Sequence, residues 1–399
     1  MIEIKPNIRY QSNCTDCQAA LKPLAVQWLG MHVVVKCQCV NCQTEFLESL
    51  KIHHFIENNF IINLDKKIVF CQESVHNQWL AQNLIDSLQY PELEKLEISK
   101  EVFQECHQVI ILNCIDYLYG HCLLKLLNAQ RHLDLNPDYG LIVIVPKFLR
   151  WMVPEGAAEV WTVPISLKQG QCYYPSFAEF VSEELKRFDE IYISKAYSHP
   201  CQFDITRFTG VQKHCFEQED IKITFIWRED RPWCSMSFFR LIRKLKIFYL
   251  GLLLQNWRVK RLFKEIRLHV PEAKFVVAGL GTQTKFPRWI EDVRIDKFDQ
   301  KIEKQMCQLY SESRLVIGIH GSNMLLPSAH AGMTLDLMPP RWGNFAQDIL
   351  YQENDSRLAS FRYRYLPIET SISQLADIAS SMIREYGNFV LNMTADKHK

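Results

Sequence analysis

Short apolar runs alternate with stretches of helical periodicity through most of the chain. Residues 108–114 (QVIILNC), 140–145 (GLIVIV), 159–163 and 190–194 (EIYIS) read as strands buried on both faces, the form that parallel sheets take. A strand at 67–71 precedes apolar residues at helical spacing over 74–88 (Val75, Trp79, Leu80, Leu84, Leu88), and Pro91 ends that helix. Further helices are predicted after Gly120-His121 and over 177–187. The pattern restarts at 222–228 (KITFIWR). It continues through 273–278 (AKFVVA), a helix at 299–313, strands at 315–319 and 334–338, and a last helix at 372–386. Such alternation predicts two successive open α/β, Rossmann-like units over residues 51–215 and 216–399, with a ligand beyond the carboxyl ends of the strands in the cleft between them.

Residues 314–340 (RLVIGIHGSNMLLPSAHAGMTLDLMPP) give this pattern its chemical focus. After the strand, His320-Gly321-Ser322-Asn323 makes a tight turn, and 324–331 reads as a short helix with Pro327 tolerated in its first turn. Gly321 permits close backbone approach, while Ser322 and Asn323 are good helix caps. A strand, polar turn and helix in this order can hold an anion on free N–H groups. Arg228 ends a buried strand where a small residue would be ordinary, and its guanidinium could fork onto a diphosphate; Arg231 is a weaker candidate, and a surface ion-pair loop is the bland alternative. His121 opens the helix after 108–114 and is either a general base or a buried cap histidine. Gly279-Leu280-Gly281 lacks the third glycine of a dinucleotide fingerprint. No D-x-D sequence occurs, so no divalent metal bridging a diphosphate is indicated.

Composition narrows the partners. The 399 residues are 48% hydrophobic with a formal net charge of +1, so no global basic field exists to hold nucleic acid. Neither a signal peptide nor a 20-residue apolar span is visible, which predicts a cytoplasmic protein. Fourteen cysteines are mostly scattered through apolar patterns as reduced thiols would be. The exception is Cys14-x-x-Cys17 with Cys39-x-x-Cys42, the spacing of four thiolates around one structural zinc. Residues 1–50 therefore read as a small zinc ribbon, with Cys37 a spare thiol that could replace Cys39. Residues 243–267 are basic on one side and aliphatic on the other (Ile247, Leu250, Leu254, Trp257, Leu262, Phe263). A core-packed helix with a solvated basic face is the expectation, and peripheral membrane contact the alternative.

After the ribbon the chain resembles the GT-B glycosyltransferases, most closely the glycosyltransferase family 61 group. VIGIHGSNMLLPSAHAGMTLDLMP looks like that family's strand–histidine-glycine–helix–strand segment, with Asp336 in the place of its acid. ITFIWRED looks like its opening strand with the phosphate-contacting arginine, Arg228. YLYGHCLLKLLNAQRHL looks like its N-terminal helix with a characteristic histidine, His121. The resemblance implies transfer of a sugar from a nucleotide-diphosphate donor to a hydroxyl of a glycan or lipid-linked glycan precursor, with inversion and without a catalytic metal. Arg228, His320, Gly321, Ser322, Asn323 and Asp336 would hold the donor. His121, or a nearby acid such as Asp116 or Glu155, would take the acceptor's proton. One position departs: the family's carboxylate four residues after the histidine is Lys125 here, which leaves a non-catalytic sugar-nucleotide binder as a rival. A zinc-ribbon interaction module is the second rival.

Overall fold

The structure is a computed structural model that describes residues 1–57, 59–71, 75–200, 202–297, 299–340, 353 and 355–394, without the side chains of 75–80, 393 and 394. The chain divides into two compact units, Met1–Phe208 and Thr209–Lys399.

The first unit opens with β1 (Ile2–Lys5). Then β2 (Leu21–Leu29), β3 (His32–Cys39), β4 (Glu45–Ser49), β5 (Phe60–Asn63) and β6 (Ile68–Cys71) follow one another as a five-stranded antiparallel meander. After α1 (Val75–Gln89) come β7 (Ser99–Val102), β8 (Gln108–Asn113), α2 (Tyr119–Leu135), β9 (Gly140–Pro146), β10 (Glu159–Val163), α3 (Pro175–Glu184), β11 (Glu190–Ile193) and the single turn α4 (Thr206–Thr209). The second sheet has the order β1-β11-β8-β9-β10-β7. Its four inner strands run parallel, and β1 and β7 close the edges antiparallel.

Two features of this unit depart from the pattern read in the sequence. Residues 67–71 do not open a βα unit but pair antiparallel with β5, so the N-terminal sheet runs to Cys71. Nor does residue 50 end a separate module. Trp28, Phe46 and Phe60 share one continuous core with Ile111, Ile144 and Trp161. The cause lies in β3: Val33, Val34 and Val35 are all fully buried, so this strand is apolar on both faces and needs cover on both. The predicted helix at 74–88 is present as α1; Ser74 and the side chains of Val75, Trp79 and Leu80 lie outside the described residues.

The second unit contains β12 (Lys222–Trp227), α5 (Met236–Lys244), α6 (Phe248–His269), β13 (Lys274–Gly279), β14 (Glu291–Asp292), α7 (Gln300–Glu312), β15 (Ser313–Ile319), α8 (Leu325–His330), β16 (Met333–Met338), α9 (Ser356–Arg362), β17 (Tyr363–Pro367), α10 (Ile372–Arg384) and α11 (Tyr386–Thr394). The six strands are all parallel, in the order β14-β13-β12-β15-β16-β17. Strands β12 and β15, far apart in sequence, are neighbours at its centre, so their carboxyl ends present Arg228 and His320 side by side. Leu262 and Phe263 of α6 are fully buried, as expected of a core-packed helix, but Ile247, Leu250 and Trp257 are each more than 40% exposed. Among the described residues no helix is long and apolar enough to cross a membrane.

Candidate functional sites

At the end of β12 the Arg228 guanidinium is held from three sides. Its Nη1 donates to Asn323 Oδ1 at 2.7 Å and to the His320 carbonyl at 3.5 Å, and its Nε donates to Asp230 Oδ1 at 2.8 Å. Arg231 Nη1 donates to the same His320 carbonyl at 2.9 Å. Two cations therefore converge on the turn after β15. Gly321 makes the approach possible. Its φ of +145° suits glycine alone, and a Cβ there would lie 2.7 Å from Arg228 Nη1. From below, the buried Gln255 amide donates to the Arg228 carbonyl at 3.0 Å and so fixes the strand end.

The turn itself differs from the expected helix cap. Ser322–Met324 form a 3-10 turn, α8 is only six residues long, and neither Ser322 nor Asn323 caps it. The Asn323 side chain faces Arg228 instead, and Ser322 is exposed. His320 and Asp336 are 1% and 0% exposed. His320 Nδ1 lies 2.8 Å from Asp336 Oδ2, to which Tyr363 also donates at 2.8 Å. Asp336 is therefore placed to set the His320 ring rather than to meet a solvent-borne ligand. The structure brings Arg228, Arg231, His320, Gly321 and Asn323 together, and Asp336 lies behind them.

In the first unit Asp116 follows β8 and is 2% exposed, beneath the start of α2. Its Oδ1 accepts from the Tyr117 backbone N–H at 2.8 Å and lies 3.3 Å from His121 Nδ1, and its Oδ2 lies 2.9 Å from the Lys125 ammonium. Burial alone would raise this carboxyl. The Lys125 charge, seconded by His121, overrides it and holds Asp116 well below the usual carboxylate range. Lys125 thus pairs with Asp116 and also donates to the Ile115 carbonyl at 2.7 Å. An ionised carboxylate only accepts, so with a proton on Nδ1 the His121 ring donates to Asp116 and leaves a lone pair on Nε2.

Sequence reasoning missed two members of this cluster, His53 and His54, from the turn His53–Ile56. His54 Nε2 lies 2.8 Å from His121 Nδ1. His53 takes a left-handed φ of 48°, stabilised where its N–H donates to the Lys195 carbonyl at 2.8 Å and its Nδ1 lies 3.1 Å from the Ala196 carbonyl. Burial, with the charge of Lys125, pushes the His53 ring well below its ordinary pKa. Adjacent histidines after a strand were the only signal. The four donor atoms lie within 4.8 Å of one another, a set that could hold a metal ion. The Lys125 ammonium lies 2.9 Å from Asp116 Oδ2 and offsets its charge, while His53 Nε2 is buried without a hydrogen-bond partner among the described residues.

Cys14, Cys17, Cys39 and Cys42 also gather within 4.8 Å. The Sγ separations are 3.6 Å for Cys14–Cys42 and 3.4 Å for Cys17–Cys39. Four thiolates on one zinc with bonds of about 2.3 Å stand about 3.8 Å apart, so the set is close to ligating geometry. The two loops repeat one another. In each, the fourth residue after the first cysteine (Gln18, Gln43) is left-handed and donates its N–H back to that cysteine's carbonyl. Backbone N–H groups of Asp16 and Asn41 point at Cys14 and Cys39 Sγ, both at 3.4 Å. Cys37 lies elsewhere, fully buried with its Sγ 3.6 Å from the Phe46 carbonyl, which removes it as a replacement for Cys39.

Two other buried histidines set an acid limit on the first unit. Burial lowers His132, whose Nε2 lies 2.6 Å from Ser194 Oγ, to about 4, and lowers His32 to about 3. Each is neutral when folded and takes up a proton near pH 6.5 when unfolded. Their contribution is therefore present above pH 6.5 and is lost as pH falls toward 4, by about 3 kcal/mol for His132. Urea titrations from pH 7.5 to 4 should show this decline, and His132→Gln should flatten it.

No protein-family profile and no curated protein matches the chain. Among solved structures it is similar to the ADP-heptose LPS heptosyltransferase II of E. coli at 10% identity and a TM-score of 0.41, over 70% of this chain and 99% of that one. It is also similar to TarM (10% identity, TM-score 0.26, 97% of this chain and 74% of that one). A third is the GtfA/B complex (9% identity, TM-score 0.25, 96% and 81%). Likeness at this level bears on neither chemistry nor substrate.

Proposed function

We propose that the chain is an inverting GT-B glycosyltransferase that takes a nucleotide-diphosphate sugar as donor and a hydroxyl of a glycan or lipid-linked glycan precursor as acceptor. The observation that carries this reading is the convergence of Arg228 and Arg231 on the glycine turn 320–323 at adjacent parallel strand ends. In the donor complex the diphosphate takes the place of the exposed Asp230 carboxylate on Arg228. As the bond from the anomeric carbon to the diphosphate breaks, the guanidiniums offset the charge that develops on the leaving oxygen. His121 Nε2 accepts the proton of the acceptor hydroxyl, whose oxygen forms the new glycosidic bond. The Asp116 carboxylate accepts from the His121 Nδ1–H and so holds the ring in that tautomer. The four-cysteine cluster holds a structural zinc.

A panel of nucleotide sugars in a thermal-shift assay tests the donor reading: one donor should stabilise the protein, and that donor should then be transferred or hydrolysed. His121→Ala should lower kcat by roughly 10²–10⁴-fold while leaving donor affinity unchanged. An unchanged kcat would remove His121 from the mechanism. The pairing of Lys125 with Asp116, where the resembling family has a carboxylate, favours a second reading as a sugar-nucleotide binder without turnover. Donor binding with neither transfer nor hydrolysis would establish that reading.

A further inference from the structure

Residues 232–264 contain eight Lys or Arg and no Asp or Glu, in a chain whose overall charge is only +1. They build α5, a tight turn and most of α6. The turn is closed by a left-handed Lys246 (φ 56°) and by the Ile247 N–H donating to the Ile242 carbonyl at 3.0 Å, which fixes the two helices as a hairpin. The inner face of α6 is buried through Leu252, Val259, Leu262 and Phe263. Its first half is apolar on the outer face as well. Tyr249, Leu250, Leu253 and Trp257 form one stripe at i, i+1, i+4 and i+8, each between 43% and 49% exposed. Leu241 (50%) of α5 and Leu245 (55%) and Ile247 (41%) in the turn add exposed apolar residues from the rest of the hairpin.

A helix on the surface of a unit ordinarily turns a polar face outward, and a contiguous apolar patch of this kind marks a surface that something covers. What covers it is indicated by charge. Arg240, Arg243, Lys244 and Lys246 lie in the same hairpin. At the Trp257 end, a groove of about 620 Å³ is lined by Lys260, Arg261, Lys264 and Lys285 with Trp257 and Trp289. A second copy of this chain docked face to face would set these cations against one another. Apolar side chains flanked by cations and amphipathic rings suit the headgroup region of a bilayer.

We propose that the α5–α6 face docks on an anionic lipid membrane, with its leucines and aromatic rings at the headgroup–acyl boundary and its cations over the lipid phosphates. This is a surface of the second unit apart from the Arg228 site, so it stands or falls separately from the transferase reading.

Co-sedimentation of the full chain with phosphatidylethanolamine vesicles, with and without phosphatidylglycerol, tests it. The protein should pellet with the phosphatidylglycerol vesicles, stay in solution with the neutral ones, and be released as salt is raised. The triple variant Arg243→Glu, Lys244→Glu, Lys246→Glu should weaken this partition by at least on the order of 100-fold, since each lost charge contributes about fivefold. Leu245→Ser with Leu250→Ser should weaken it too, and because these side chains are exposed both variants should keep the wild-type unfolding midpoint. Salt-insensitive binding, or no binding of the wild type to phosphatidylglycerol vesicles, would overturn the proposal. Capture of an acidic protein without vesicle binding would do the same.

Discussion

Arg228→Ala is expected to remove donor binding from the thermal-shift panel and to lower kcat/KM for transfer by about 10²–10³-fold, the usual loss when one preorganised donor to a developing oxyanion is deleted. The size of the effect follows from how the guanidinium is held. The side chain is 13% exposed, and Asn323, Asp230 and the His320 carbonyl fix its orientation before any ligand arrives. Little ordering is then left for the moment of binding. Arg228→Lys keeps the charge but loses the planar fork, so an intermediate loss is expected. Gly321→Ala should act in the same direction without touching the charge, because its Cβ would fall 2.7 Å from Arg228 Nη1 and push it away. Of the partners left behind by Arg228→Ala, Asp230 has a side chain 68% exposed and the His320 carbonyl still accepts from Arg231, so the unfolding midpoint should change little. Equal donor affinity in wild type and Arg228→Ala, measured by calorimetry, would sink the donor-site assignment.

How far this site could be read from sequence depended on the physical kind of signal. The strands β8, β9, β12 and β15 are buried on both faces, and such strands write their burial as uninterrupted apolar runs. An arginine or a histidine at the end of such a run is conspicuous for the same reason. His53 and His54 carried no comparable signal. They come from a turn more than 60 residues before His121 and join the cluster through tertiary contacts: the Met31 N–H on the Gly170 carbonyl at 2.8 Å ties the N-terminal sheet to the turn at 168–171, and the Asn113 amide on the Gly30 carbonyl at 3.0 Å ties it to the end of β8. Local rules also lost to a stronger neighbour at Asn323, a good helix cap whose side chain is taken by Arg228. In α6 the periodicity was legible, but it could not show that the first half is apolar on the outer face too. A buried stripe and an exposed stripe give the same residue types.

Cys39→Ser is expected to reduce zinc from about one per chain to near zero and to destabilise the first unit by several kcal/mol. The magnitude lies below the 10–16 kcal/mol that zinc supplies to isolated finger peptides, because here the meander shares a core with the α/β sheet and does not rely on the metal alone. It is still large, because the two loops pack few apolar side chains and are otherwise closed mainly by backbone hydrogen bonds such as Gln18 N–H to Cys14 and Gln43 N–H to Cys39. Each contains a left-handed glutamine, and Cys42 is exposed at the surface. Hydrogen bonds to the Thr44 hydroxyl and backbone pull the Cys42 thiol down to about 6, so this side chain is mostly thiolate at neutral pH, the form a zinc ligand needs. Cys37→Ser is the control. It removes a buried thiol of the same sheet that lies outside the cluster, so zinc content should stay at about one while some packing is lost. Metal analysis and thermal unfolding of the two variants separate the roles. A Cys39→Ser protein that keeps its zinc, or a wild type purified without any, would show that the four sulfurs sit together for a reason other than ligation.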